Sequence, residues 1–263
     1  MKTYLNHIHP GSNIMTTQTL NWTDITLPDE VQSAVETLAS NYSEQLESKL
    51  TGIILYGSGA RGHFREGKSD VNLLIVVDSI DTEALSSIFD STLTARRHNL
   101  APLFMTPGDL QSFTSVFPIK FLSMKESYRV LHGEDAIASL EVDNAHLRLR
   151  CQQEMQNLMM RLRRHFLNRQ GHGLTPMLRE TLNGFMEALR RVVQLAQGEV
   201  PPRKDLVAQA AKTVGFDQKK LEELMKLKSP SGIQNAEVTH ELFNEFIKIV
   251  EQTARFTEKL EAN

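Results

Sequence analysis

The chain has a single cysteine, Cys151, so no internal disulfide can form and the small disulfide-stapled scaffolds are excluded. It has no excess of either charge. A formal net charge of -3 gives no global attraction to nucleic acid or to an anionic membrane. Long apolar runs are missing as well. The opening residues MKTYLNHIHPGSNIM lack the continuous apolar stretch of a signal peptide. The run from Leu73 to Val77 falls far short of the roughly 20 residues that span a bilayer. What is present is ordinary for a globular protein: 263 residues, 40% hydrophobic and 23% charged, enough for one large domain or two smaller ones. A cytoplasmic location without membrane contact is the expectation.

Periodicity divides the chain. Residues 1–26 mix Asn, Thr, His, Pro and Gly without a period and read as a flexible N-terminal tail; His7 and His9 alone make a poor metal site. A helix is predicted from Pro28, with Val31, Val35, Leu38, Tyr42, Leu46 and Leu50 on one face. Ile53 to Tyr56 and Val71 to Val77 are short β-branched runs, the pattern of strands buried on both faces. Residues 81–97 read as a helix, Leu100 to Met105 as a third strand, and a short helix opens at Thr106-Pro107. The mixed segment 116–135 closes the sheet domain.

Strand signals then stop. Leu147, Cys151, Met155, Leu158, Leu162 and Phe166 make one helical stripe, on which a buried structural thiol is the reading for Cys151. Leu178, Leu182, Phe185, Leu189 and Val192 make another, followed by helices near 203–213, 217–227 and 236–260. The expected architecture is an α/β (α+β) domain with a mixed sheet over 27–137, then an all-α helical bundle over 138–263.

The stretch ILYGSGARGHFREGKSDVNLLIVVD, residues 54–78, carries the chemistry. Gly57-Ser58 directly after a strand lets backbone amides approach an anion, and the Ser58 hydroxyl adds a donor. After eleven intervening residues, Asp70 and Asn72 lie two apart on the next strand and so share a face. A phosphate-binding turn opposite a pair of oxygen ligands suits a metal–nucleotide complex.

These residues resemble the nucleotidyltransferase superfamily that includes DNA polymerase β and the aminoglycoside nucleotidyltransferases. Tyr56-Gly57-Ser58, the gap and Asp70-Val71-Asn72 carry the likeness, and Gly59-Ala60-Arg61-Gly62 resembles the S-x-A-R-G of many small bacterial members. The resemblance implies transfer of a nucleoside monophosphate from an NTP to a hydroxyl, with Mg2+ as cofactor and the helical half helping to form an acceptor pocket. It implies nucleotide contacts at Gly57, Ser58, Arg61, Lys68, Ser69 and Asn72, metal contacts at Asp70 and Asn72, and a catalytic role for Asp70. Two metal ions normally clamp the attacking and leaving oxygens, held by three carboxylates.

Two of those carboxylates are missing. Asn72 stands in the second position, and the third strand, NLAPLFMT from Asn99 to Thr106, has no acid. Each lost carboxylate–ion contact forfeits several kcal/mol of gross attraction at about 4 Å and an effective dielectric of about 20. The sequence thus reads as a degenerate active site that binds a nucleotide, with catalysis impaired or lost and one Mg2+ brought in weakly with the triphosphate. An active enzyme using Asp78, Asp109 or Glu134, with a small-molecule, protein or RNA acceptor, is the alternative. A regulatory protein-interaction module is the other. Arg61 and Lys68 stand equally as phosphate contacts or as solvated cations, and His63 reads as exposed. Six arginines at 148, 150, 161, 163, 164 and 169 read as a solvated helix face, which weighs against nucleic acid as a partner. The charged final helix leaves room for a homodimer contact.

Overall fold

In the computed structural model, residues 19–67, 69–170, 172–228 and 240–261 are described. Helix α1, Asp29–Leu46, follows Pro28, whose carbonyl accepts from Val31 and Gln32 N–H. It buries Val35, Leu38, Tyr42 and Leu46 of the predicted face together with Ala39. Val31 is half-buried, and Leu50, predicted on the same face, opens β1 instead because the helix ends at Leu46. A single 3-10 turn leads into the sheet. The strands are β1 Leu50–Tyr56, β2 Val71–Val77, β3 Leu100–Met105 and β4 Tyr128–Gly133, in the order β3-β2-β1-β4. β1 is antiparallel to both β2 and β4, and β2 is parallel to β3, so the sheet is mixed as expected. A parallel pair needs a crossover; here α2, Thr82–Ser87, and α3, Phe89–Arg97, make it.

The sequence predicted one helix where α2 and α3 are two. The hydroxyls of Ser86 and Ser87 turn back onto the carbonyls of Thr82 and Ala84, and side-chain bonds of this kind compete with the helix ladder. The chain breaks at buried Ile88 and restarts. β4 was hidden in the mixed segment because it is an edge strand with only Leu131 fully buried.

The sheet's first face packs Ile53, Leu55, Leu73, Ile75, Val77 and Leu100 against α1 and α3. Residues 19–26, read from sequence as part of the tail, join this core: Leu20 is buried, Asn21 N–H donates to the Leu131 carbonyl at 2.8 Å, and Trp22 Nε1–H donates to Glu36. Two apolar residues, Leu20 and Leu27, are spaced too far apart to show a period. His7 and His9 lie outside the described residues.

The described residues form two compact units, one running to 107 and joined by 127–136, the other of 108–126 with the residues from 137 onward. The helices α4, Pro107–Val116, and α5, Pro118–Lys125, thus go mainly with the helical unit, although they lie between sheet strands in sequence. That unit continues with α6 Asn144–Asn168, α7 Leu174–Gln197, α8 Leu206–Val214, α9 Gln218–Met225 and α10 His240–Lys259. Its core joins Leu158, Leu162, Leu182, Phe185, Phe246 and Val250. Asp143 caps α6 by accepting from Ala145 and His146 N–H, and Gly198, with φ +77°, ends α7.

Cys151 is fully buried on α6, its thiol facing the Ala188 carbonyl; burial pushes it up to about 12, so it is no nucleophile. Of the six arginines, Arg150 pairs with Glu154 at 2.5 Å, and Arg161, Arg163, Arg164 and Arg169 are exposed. No described helix is long and apolar enough to cross a membrane.

One buried charge network lies within the helical unit. Arg191, fully buried, donates to Glu126 at 2.6 Å, Glu187 at 3.0 Å, Gln194 at 2.8 Å and Ser123 at 3.1 Å. Arg190 also reaches Glu126 and the Pro201 carbonyl, and Arg203 reaches Glu187. Burial alone would raise the Glu187 carboxyl. The Ser123 hydroxyl and the two arginines outweigh it and hold the group below the usual carboxylate range.

Candidate functional site

One end of the sheet collects the residues singled out from sequence. β1 ends there, and β2, β3 and β4 all begin there. The register aligns Tyr128, Tyr56, Asn72 and Ala101 as one row across the four strands. All four are half-buried and lie on the face opposite α1, because side chains alternate along a strand and Leu55 and Leu73 point the other way.

Gly57 leaves β1 with φ +80°, a left-handed conformation that favours glycine. Its N–H donates to the Ser127 carbonyl at 3.0 Å, which ties the turn to the start of β4. The next residues coil into a tight turn. Arg61 N–H reaches the carbonyls of Gly57 and Ser58, Gly62 N–H that of Gly59, and His63 N–H that of Ser58. The amides of Ser58, Gly59 and Ala60 meet no acceptor among the described residues. Unaccepted consecutive amides are donors open to an anion.

The Asn72 side chain lies beside this turn from β2. A Cβ on Gly57 would meet its amide nitrogen at 3.2 Å, and that nitrogen also points to the Asp70 carbonyl at 3.5 Å. Asp70 is exposed just before the strand and lines a cleft of about 290 Å³ with Thr92, Arg96, Asn99 and the start of β3. Ser69 is engaged in its own loop, its hydroxyl accepting from Arg65 N–H at 3.1 Å. Arg61 and His63 are exposed, and Lys68 lies outside the described residues.

The two tyrosines of the row stay protonated. Burial raises Tyr56; burial, and then the hydrogen bond to Asp135, raises Tyr128. Tyr128 Oη–H donates to Asp135 at 2.9 Å. Arg96 near this end, and Asp135, which follows the far end of β4 and is reached by the Tyr128 hydroxyl, are the charged groups that sequence reasoning missed. No linear spacing marks them, since one is brought in by a tyrosine across a strand and the other by the end of α3. The sequence candidates Asp78 and Glu134 lie elsewhere. Their amides bond the carbonyls of Lys49 and Thr51, at the opposite end of the sheet.

The donors present fit a two-metal centre badly. Beside Asp70 stand an amide and, in the next register position, an alanine. Among the described residues no three His, Cys, Asp or Glu side chains gather to hold an ion. Magnesium takes oxygen ligands; Asn72 turns its N–H2 toward Gly57 and the Asp70 carbonyl, so a neutral carbonyl oxygen is all it has to offer in place of a carboxylate.

The mixed sheet, the glycine turn after its first strand, Asp70 just before the second and the appended helices together make a nucleotidyltransferase-like fold. Among solved structures the chain is similar to the spectinomycin adenyltransferase AAD(9) from Enterococcus faecialis, whose crystal structure contains ATP and spectinomycin. The TM-score is 0.58 at 12% identity, over 87% of this chain and 99% of that one. No family model matches the chain, and no curated protein matches it by sequence.

Proposed function

We propose that this protein binds a nucleoside triphosphate at the Gly57–Ser58 turn and transfers its nucleotidyl group poorly or not at all. The observation that carries the reading is the side-chain row itself, in which Asn72 and Ala101 occupy neighbouring strands where a two-metal enzyme needs carboxylates. The amides from Ser58 to Ala60 receive phosphate oxygens, Ser58 adds its hydroxyl, and Arg61 supplies charge from the loop. Asp70 is the carboxylate left to meet a metal or an acceptor hydroxyl. The ATP of the structural neighbour supports the nucleotide, and its spectinomycin makes small polyhydroxylated molecules the first acceptors to screen. The test pairs a thermal-shift titration with ATP against pyrophosphate release. A saturable shift with release at background is expected; rapid turnover with any acceptor overturns the reading.

A second reading, a working transferase, draws on the extent of the match, which takes in 99% of the neighbour. Asp70 would then act with a carboxylate from outside the strand motif, such as Asp135 beside Tyr128. In that case Asp70→Ala abolishes label transfer from α-labelled ATP. Unchanged labelling removes this reading.

A further inference from the structure

We infer that polyphosphate binding at this site needs no divalent cation, an inference that rests on the nucleotide-binding reading above. A metal ion is required between triphosphate and protein when the protein side is acidic, because two anionic partners otherwise repel. Here the protein side has changed character. Asn72 turns an amide nitrogen toward Gly57, and Ala101 beside it carries no charge. The three amides of Ser58, Gly59 and Ala60 are unclaimed by any described acceptor. Arg96 shares the cleft of the remaining acid, Asp70. Two positions where the fold family presents carboxylate ligands thus carry neutral groups, an amide at 72 and a methyl at 101, and backbone N–H donors stand beside them. Phosphate oxygens accept from such donors directly. The Mg2+ expected from the family resemblance becomes dispensable for binding, and its departure would account for the tolerance of an amide at position 72.

Isothermal titration of the full chain with ATP, once in excess EDTA and once in Mg2+, tests this. The dissociation constants are expected to agree within about threefold. Binding in Mg2+ but not in EDTA overturns the inference and leaves the nucleotide-binding reading intact. Absence of ATP binding under both conditions overturns that reading and the inference with it. Asn72→Asp sharpens the comparison: metal-free ATP binding should weaken about tenfold or more and recover on adding Mg2+. An Asn72→Asp protein that binds ATP equally with and without metal overturns the inference. Asn72→Ser, which keeps a neutral donor in a small side chain, should remain indifferent to metal. If it acquires Mg2+ dependence, the inference fails even where the Asp variant does not fold.

Discussion

Two polar regions of this molecule use charged and hydrogen-bonding groups in opposite ways. In the helical unit, Arg190, Arg191 and Arg203 meet Glu126 and Glu187, and the Arg191 guanidinium lacks a partner only at Nε. At the end of the sheet, Asp70 is exposed, three amides meet no acceptor among the described residues, and Asn72 and Ala101 beside them are neutral. The first region is satisfied from within and holds helices together; the second leaves its capacity for something outside the chain. Polar density alone therefore does not mark a functional site. What marks it is capacity left over once the chain's own groups are paired.

The contrast predicts where substitutions hurt stability and where they hurt binding. Glu126→Ala should have the largest effect, because it strips a partner from two buried guanidinium groups at once. A loss of about 4 kcal/mol by urea denaturation is expected, and a loss near zero would show that the network is not structural. Gly133→Ala comes next. Gly133 has φ +75°, and a Cβ there would lie 2.0 Å from the Thr51 carbonyl oxygen. About 2 kcal/mol should be lost as the β1–β4 pairing shifts, with ATP binding affected only through folding. Gly57→Ala is the sharper probe, since strain of about 1 kcal/mol should come with a disproportionate loss of ATP affinity as Asn72 is displaced. Equal ATP affinity in that variant would remove the turn from the site.

The pH dependence follows from Glu187. Its carboxyl is held below the usual range in the folded protein, so the folded state favours the ionised form. That contribution is present above the unfolded pKa of about 4.3 and is lost as the pH falls through the lower folded value. Acid melts should show this loss below about pH 4, and Glu187→Gln should flatten it. Smallest of all, Asp70→Ala should change stability by no more than about 0.5 kcal/mol, because the side chain is exposed. A larger loss would turn Asp70 into a structural residue and break the comparison.

Much of this was legible in the chain. β2 and β3 have the predicted bounds, and α1, α6 and α7 bury the predicted stripes, because apolar spacing decides which face turns inward. Strand alternation and a hairpin-like gap predict the Gly57–Ser58 turn opposite Asp70 and Asn72; the structure sets Asn72 beside Gly57, while Asp70 precedes β2 and lines a cleft with Arg96 and the start of β3. Long-range placement was not legible. Asp135 joins the row through Tyr128, Arg96 arrives at the end of α3, and α4 and α5 leave the sheet for the helical unit although both lie between strands. Local pattern carries no record of such returns.

The threading of the chain has a consequence of its own. It passes between the two units at 107/108, 126/127 and 136/137, so neither unit is an uninterrupted stretch of sequence. A single recombination event could not exchange the helices for another set without also removing β4 or stranding α4 and α5. The two halves have to be inherited together, and a change of partner or ligand must come by substitution within this framework rather than by swapping modules.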